Sequence, residues 1–183
     1  MQARTSRQPA RDEAARALDD DAGCSAELAA ALAGARRRAV RDGDRQVDTA
    51  HLLHSLLEHD PEVRAAVDDG PRLVRLLGYL VQRSIGYGLR WRSGVEDSGT
   101  PPAGTGVEGF SPLAAAATER ARGRAARRAG DRVRGADLLA AIVADPEARA
   151  VEVLTRAGVD VRGVRSRIAD GPQECAGGGE TSR

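Results

Sequence analysis

Two stretches of this chain repeat one pattern: VDTAHLLHSLL at residues 47–57 and VRGADLLAAIV at residues 133–143. In each stretch the large apolar residues fall at i, i+1, i+4 and i+5, as in Leu52, Leu53, Leu56 and Leu57. This spacing puts the apolar side chains on one continuous face of an α-helix that begins just after the valine. Each stretch therefore predicts a helix that packs into a core through that face.

The similarity extends toward the N-terminus of both stretches. Residues 25–41 align with residues 111–127 without a gap. Eight Ala and Arg positions of the first segment find the same residue in the second: Ala29, Ala30, Ala31, Ala35, Arg36, Arg38, Ala39 and Arg41. Self-similarity at a fixed interval is typical of repeat architectures. The chain is therefore predicted to be a tandem repeat of one small helical unit.

The charge balance gives no general reason to bind nucleic acid or an anionic membrane. The 183 residues include 28 basic and 27 acidic residues, a formal net charge of +1, and every basic residue is arginine. Clusters such as residues 36–38 and 124–128 are typical of the solvated faces of amphipathic helices. Without lysine the chain cannot form a phosphate-binding loop that ends in Lys-Ser/Thr.

The cysteines and the hydropathy pattern predict a cytoplasmic protein. Cys24 and Cys175 stand near opposite ends of the chain, which does not suggest a disulfide framework. The first ten residues are polar, and no apolar run approaches the ~18 residues that suggest a membrane span. We expect a monomer with no membrane partner.

Turn residues and apolar periodicity divide the chain into five parts. These are a disordered or frayed tail (1–21), a first repeat (22–92), a flexible linker (93–109), a second repeat (110–170) and a disordered tail (171–183), with 22–170 forming one domain. The helix capped by Ser25 and ended by Gly43 is predicted to turn Val40 inward. The second repeat is predicted to contain helices over 111–129, 134–144, 146–157 and 160–170.

No catalytic motif is present, and there is no pair of cysteines at metal-binding spacing. The three histidines, His51, His54 and His59, lie in one helix and at its end. His51 and His54 are one turn apart and could chelate a metal together, but no cysteine or third histidine is placed to complete the site, so we interpret them as surface or capping histidines. No carboxylates are paired within an apolar segment. We expect no enzymatic activity, no cofactor and no metal.

The repeated unit resembles the Clp repeat, which occurs in tandem as the N-terminal domain of Clp-family AAA+ unfoldases. Residues 48–53 (DTAHLL) match that family's Gly-Thr-Glu-His-Leu-Leu, and residues 110–114 (FSPLA) match its Phe-Thr-Pro-Arg-Ala. Residues 154–165 resemble the family's Leu-x-x-Leu-Gly-Val-Asp ending. The similarity covers about residues 22–170.

The resemblance implies an all-α fold of two four-helix repeats related by a pseudo-twofold axis, about eight helices in total. In the family this module recruits substrates or adaptor proteins for an attached ATPase ring. We therefore expect a non-enzymatic protein- or peptide-recognition module that works without AAA+ modules. It would act as a stand-alone adaptor, a regulator or a ligand-sequestering decoy of the Clp protease system.

The resemblance also suggests where a ligand would bind. In several family members the glutamate of Gly-Thr-Glu-His holds phosphoarginine, but Ala50 and Ala136 stand at those positions here, so that specificity is not carried over. Thr49 and His51, at the start of the helix that contains Ala50, remain candidate contacts for a partner. Phe110 and Glu119 match an aromatic and an acidic residue of a family surface that receives cyclic-peptide antibiotics in some members.

Two alternatives stay open at this point. Phe110 either anchors the linker in the core or forms the apolar centre of a peptide-binding patch. The function also has an alternative. Instead of recognising a protein, a peptide or a cyclic-peptide antibiotic, the chain could be a DNA-binding transcriptional regulator that uses an Arg-rich helix such as residues 120–128.

Overall fold

A computed structural model describes residues 23–67, 70–84, 109–128 and 132–170. Over these ranges the chain forms eight α-helices, and strand-like pairing is limited to two isolated bridges. The predicted all-α fold class is confirmed. Both predicted tails lie outside the described residues, and so does nearly all of the predicted linker. The same is true of Tyr87 and Trp91, which precede the linker.

The helices form two groups of four in chain order. The first group is α1 (Ala26–Asp42), α2 (Thr49–His59), α3 (Pro61–Val67) and α4 (Pro71–Ser84). The second group is α5 (Pro112–Ala126), α6 (Gly135–Val143), α7 (Arg149–Arg156) and α8 (Val161–Asp170). Every predicted helix of the second repeat is present. The largest differences are of three residues: α5 was predicted to residue 129 and ends at Ala126, and α7 was predicted from residue 146 and begins at Arg149.

Side-chain caps fix the starts of three helices where the sequence predicts them. The Ser25 hydroxyl accepts a hydrogen bond from Leu28 N–H (3.2 Å), and the Ser111 hydroxyl accepts one from Ala114 N–H (3.2 Å). Asp48 caps α2 in the same way. Such caps satisfy backbone donors that a helix start leaves unpaired. Gly43 ends α1 with φ 74°, a left-handed conformation that favours glycine.

Two short parallel bridges tie the beginning of each group to the other group. Cys24 pairs with Val133, and Val47 pairs with Phe110. In the alignment of the two repeats, Cys24 corresponds to Phe110 and Val47 corresponds to Val133. Exchanging the two repeats therefore turns each bridge into the other. This exchange is expected of halves related by a pseudo-twofold axis, and superposition of the two groups would test that arrangement directly.

One cluster of buried side chains contains residues from all eight helices, so the two groups share a core. Leu28 and Leu32 of α1 and the leucines of α2 supply much of its volume, whereas α5 contributes mainly alanines. Small side chains let helices approach closely. The prediction for Val40 is wrong: it is 65% exposed, because it lies about 100° around α1 from the buried Ala39.

The first residue of α6 lies against the link between α2 and α3. A Cβ atom on Gly135 would overlap the Asp60 carboxylate and would lie 3.1 Å from Cδ2 of Leu56. Asp60 is buried, and its Oδ1 accepts a hydrogen bond from Val63 N–H (3.1 Å), which caps α3. The Asp60 carboxylate therefore cannot turn aside without the loss of that cap.

We expect Gly135→Ala to lower the free energy of unfolding by about 2 kcal/mol, through overpacking and the disturbed cap. Urea-induced unfolding followed by circular dichroism measures the change. Gly78→Ala in α4 is the matched control: its added Cβ meets no atom within 4 Å, and alanine should stabilise the helix by up to about 1 kcal/mol. Equal stability of Gly135→Ala and the unsubstituted protein would contradict the close contact.

Candidate functional site

The start of α2, where the sequence places two of the candidate contacts, is a closed capping structure. The Asp48 carboxylate accepts a hydrogen bond from His51 N–H (2.8 Å), and Nδ1 of His51 accepts one from Asp48 N–H (3.1 Å). His51 is 1% exposed and Asp48 is also buried. The two side chains thus satisfy each other's backbone donors, as in a capping box.

Helix α7 covers this start. The Thr49 hydroxyl accepts a hydrogen bond from Ala150 N–H (3.1 Å), and Arg149 donates to Oδ2 of Asp48 at 2.5 Å. Thr49 is buried by these contacts. Thr49 therefore lies inside the contact between the two groups of helices, and a ligand could reach it only by displacing α7. His51 is buried as well, next to Asp42 and Asp44 at the end of α1.

The histidines do not lie where a surface interpretation places them. His51 and His54 are buried and His59 is partly buried, so the prediction of surface histidines is wrong. The alternative, a capping role, is confirmed for His51. Helical periodicity alone could not show that α1 and α7 cover this side of α2. Nε2 of His51 lies 3.2 Å from Asp44 and 3.6 Å from Asp42.

These groups raise the question of a metal site. Ligand atoms of Asp44, Asp48 and His51 lie within 4.8 Å of one another. The Asp48 carboxylate, however, already binds Arg149 and caps α2. The cluster is accounted for as hydrogen-bonded structure.

Phe110 and Glu119 have different environments. Phe110 is 5% exposed, its backbone pairs with Val47, and the guanidinium of Arg36 lies 5.3 Å from the centre of its ring. This position favours the anchoring alternative for Phe110 over an exposed patch. Glu119 is exposed on α5, about two turns from the start of that helix.

The start of α6 holds a second cluster, which the sequence analysis missed. Asp137 is buried, and both of its oxygens accept hydrogen bonds from Arg128, at 2.5 Å each. Asp137 also accepts one from Arg134 N–H (3.0 Å), and Nε of Arg124 lies 3.6 Å from its Oδ1. A two-pronged arginine–carboxylate pair of this kind is among the strongest and most directional polar contacts in proteins.

A half-open cavity of about 360 Å³ lies beside this cluster. Helices α3, α5, α6 and α8 and the link between α5 and α6 contribute to it. Its lining consists of Glu62, Arg124, Arg127, Arg128, Arg134, Ala136, Asp137, Ile168 and Ala169. Four guanidinium groups thus surround a cavity that contains two carboxylates, so the lining carries an excess of two positive charges. Such a site attracts anionic groups.

The equivalent positions in the first group hold aspartate in place of two of the arginines and histidine in place of Asp137. The corresponding pairs are Asp42 and Arg128, Asp48 and Arg134, and His51 and Asp137. In both groups the third member bonds the backbone N–H of the second. This difference is visible in the aligned sequences, and it is the signal that could have pointed to the cavity. The start of α6 has four arginines at these aligned positions, whereas the start of α2 has two, Arg38 and Arg41.

The arginines keep Asp137 ionised. Burial by itself would raise its pKa, but the hydrogen bonds from Arg128 and from Arg134 N–H outweigh burial, and the pKa of Asp137 is lowered. A lowered carboxyl pKa adds stability that is present above the unfolded value near 3.9 and is lost as the pH falls through the folded value. An ionised carboxylate held in this way is poorly suited to act as a general acid at neutral pH.

We expect Asp137→Asn to lower the free energy of unfolding at neutral pH by about 1–2 kcal/mol, because it leaves two arginines without their buried partner. This loss is small for the removal of one partner from a buried ion pair, because Arg128 and Arg124 are partly exposed and water screens their charges. Urea unfolding measures it. Glu119→Gln, at an exposed site on α5, should change stability by less than about 0.5 kcal/mol. Equal effects of the two substitutions would contradict the role of Asp137.

The arginines of residues 120–128, in α5 and just after it, are directed partly inward. Arg120 donates to the carbonyl oxygen of Ala141 (3.3 Å) and lies 3.8 Å from Asp145, while Arg124 and Arg128 contact Asp137. Phosphate contacts to nucleic acid need guanidinium groups arrayed on one outer face. Three of these arginines instead contact neighbouring segments of the same chain.

No protein-family model and no curated protein sequence matches this chain. The resemblance to the Clp repeat therefore depends on the quoted residues alone. None of the helices described here is both long enough and apolar enough to cross a lipid bilayer.

Proposed function

We propose that the chain is a non-enzymatic protein- or peptide-recognition module that acts as a stand-alone adaptor, regulator or ligand-sequestering decoy of a Clp unfoldase–protease. The observation that carries this proposal is the cavity with four arginines at the start of α6. It is open to solvent, and Asp137, one of its two carboxylates, is held ionised by arginine and is poorly suited to general-acid catalysis. The repeated DTAHLL-like motif and the all-α fold support the Clp part of the proposal.

The rigid surroundings of the cavity suit recognition. Asp137 and the N–H of Arg134 hold the lining in place, and α3 and α8 contribute the opposite wall. A preformed site loses little conformational entropy when a ligand binds, so modest contacts can yield useful affinity. Helices of both groups meet at this site, so the full domain is the recognition unit.

The test uses the purified chain with a purified Clp unfoldase and its protease. Surface plasmon resonance measures direct binding, and degradation of a fluorescent model substrate measures the consequence. An adaptor should accelerate degradation of its own substrate, and a decoy or inhibitory regulator should slow it. No binding and no change in degradation rate, in either direction, would contradict the proposal, as would ATP hydrolysis by the chain alone.

DNA-binding regulation is the competing function, and the density of arginine over residues 120–128 favours it. Fluorescence anisotropy with labelled duplex DNA separates the two. Salt-sensitive binding that falls on loss of the exposed Arg122 would favour the regulator. Duplex binding that is absent at physiological salt would favour protein recognition.

A further inference from the structure

The cavity at the start of α6 has features that restrict its ligand beyond a general preference for anions. Arg127, at the end of α5, is exposed at the cavity, and Arg124 and Arg128 line it while they contact Asp137. Asp137 is thus shared between two guanidinium groups. A second carboxylate on the open side would meet the exposed Arg127 beside these arginines, and the planar fork of a guanidinium matches the geometry of a carboxylate.

The opposite wall combines the Glu62 carboxylate of α3 with an apolar part. Ile168 and Ala169 of α8 form the apolar part, and Ala136 lies at the base of α6. An inorganic anion would leave these surfaces exposed to water, whereas an anion attached to an aliphatic chain would cover them. A volume of about 360 Å³ is at the small end of the range for ligand cavities, which fits one or two amino-acid residues.

We infer that the cavity binds a carboxylate group of a peptide, presented next to an aliphatic side chain. The carboxylate lies among Arg124, Arg127 and Arg128, and the aliphatic group packs on Ile168. The inference rests on the proposed recognition function, and it names the chemistry that the recognised partner must present. An acidic side chain and a free C-terminus both supply this group.

The experiment uses a fluorescein-labelled peptide that ends in Leu-Glu-Leu with a free C-terminus, together with three variants. One variant has Gln in place of Glu, one has an amidated C-terminus, and one has both changes. Fluorescence anisotropy gives the dissociation constants. We expect the doubly neutral peptide to bind at least tenfold more weakly than the parent, since charge-assisted contacts are lost. Loss on amidation assigns the terminus, and loss with Gln assigns the side chain.

The protein variant is Arg127→Gln, and its matched control is Arg41→Gln. Arg41 occupies the corresponding position at the end of α1, where the nearby groups are Asp42 and His51 instead of Arg128 and Asp137. Both substitutions remove one positive charge from an exposed site. We expect Arg127→Gln to weaken binding of the parent peptide about tenfold, and Arg41→Gln to leave it within about twofold.

Amide chemical-shift changes in the ¹⁵N spectrum locate the bound peptide, and they should appear at Ala136, Asp137 and Ile168. Four results would overturn the inference: equal binding of the doubly neutral peptide, equal weakening by both arginine substitutions, shifts confined to other helices, or a phosphoserine version of the peptide that binds more than tenfold tighter. The last result would make the site a phosphoryl site.

The two proposals fail separately. If the Clp unfoldase binds the Arg127→Gln variant as tightly as the unsubstituted chain, the recognition function stands and the carboxylate inference is wrong for that partner. If the parent peptide binds as expected and no Clp component does, the carboxylate site stands and the Clp role is wrong.

Discussion

Leu139→Asp is expected to abolish cooperative folding of the domain. The Leu139 side chain is 0% exposed and lies on the apolar face of α6. The substitution places a carboxylate where no described cation faces the apolar core, and it also removes the packing of a large side chain. Together these effects should exceed about 5 kcal/mol, which is comparable to the whole stability of a domain of this size.

Because both groups of helices share one core, the loss of folded structure should extend to the entire domain. Leu53→Asp, at the corresponding position of α2, should have the same outcome. Circular dichroism at 222 nm and the urea-unfolding profile measure it.

The control for both substitutions is Val74→Asp in α4. Val74 is 74% exposed, so the same change of an apolar residue to Asp should alter stability by less than about 0.5 kcal/mol. A Leu139→Asp protein that keeps a cooperative transition, or in which α1–α4 stay folded, would show that the two groups do not depend on a common core.

The second large effect is a loss of stability on acidification, caused by His54. Burial, reinforced by the positive charge of Arg38, lowers the pKa of His54 from 6.5 to about 4. Glu58 and Asp42 act in the opposite direction but are outweighed, and Arg41 lowers the pKa further. The imidazole is therefore neutral at pH 7 in the folded protein.

A folded pKa below the unfolded value means that the unfolded chain binds more protons between about pH 4 and 6.5. The stability contribution of neutral His54 is then complete above about pH 6.5 and is lost as the pH falls toward 4. The shift corresponds to a loss of up to about 3 kcal/mol. Urea midpoints at pH 7 and at about pH 4.5 measure it.

Buried carboxylates also titrate in acid, so the effect of His54 is measured as the difference in stability between the unsubstituted protein and the His54→Leu variant. His54→Leu keeps an uncharged side chain of similar size and removes the imidazole. Its stability should match that of the unsubstituted protein to within about 1 kcal/mol at pH 7, and should exceed it by about 2 kcal/mol at about pH 4.5. A difference between the two proteins that does not change with pH would contradict the assigned pKa.

The helices themselves were predictable because their causes are local. Periodicity of Leu52, Leu53, Leu56 and Leu57 indicates α2, and Ser25 and Ser111 satisfy the donors of the helix starts that follow them. These features depend on residues within a few positions of one another, so the sequence carries them directly. The spacing predicts one buried face for α2, whereas residues 49–57 are all buried, because helices from both groups pack around it.

The tertiary structure alone decided which polar residues are buried. Thr49 and His51 look like accessible residues of a helix start, but both are buried. Helix α7 covers Thr49 through a hydrogen bond that spans about a hundred residues of chain. Which helix packs on a given start depends on long-range contacts that a local pattern does not contain.

The sequence by itself determined an all-helical chain with a repeated unit, because helix formation follows from spacing and caps. Only the folded arrangement brought Arg124, Arg127 and Arg128 of one helix end together with Glu62 and Ile168 of two distant helices around one cavity. The physical reason is that a binding site is defined by the convergence of side chains in space. That convergence is fixed when the two halves bury a common core.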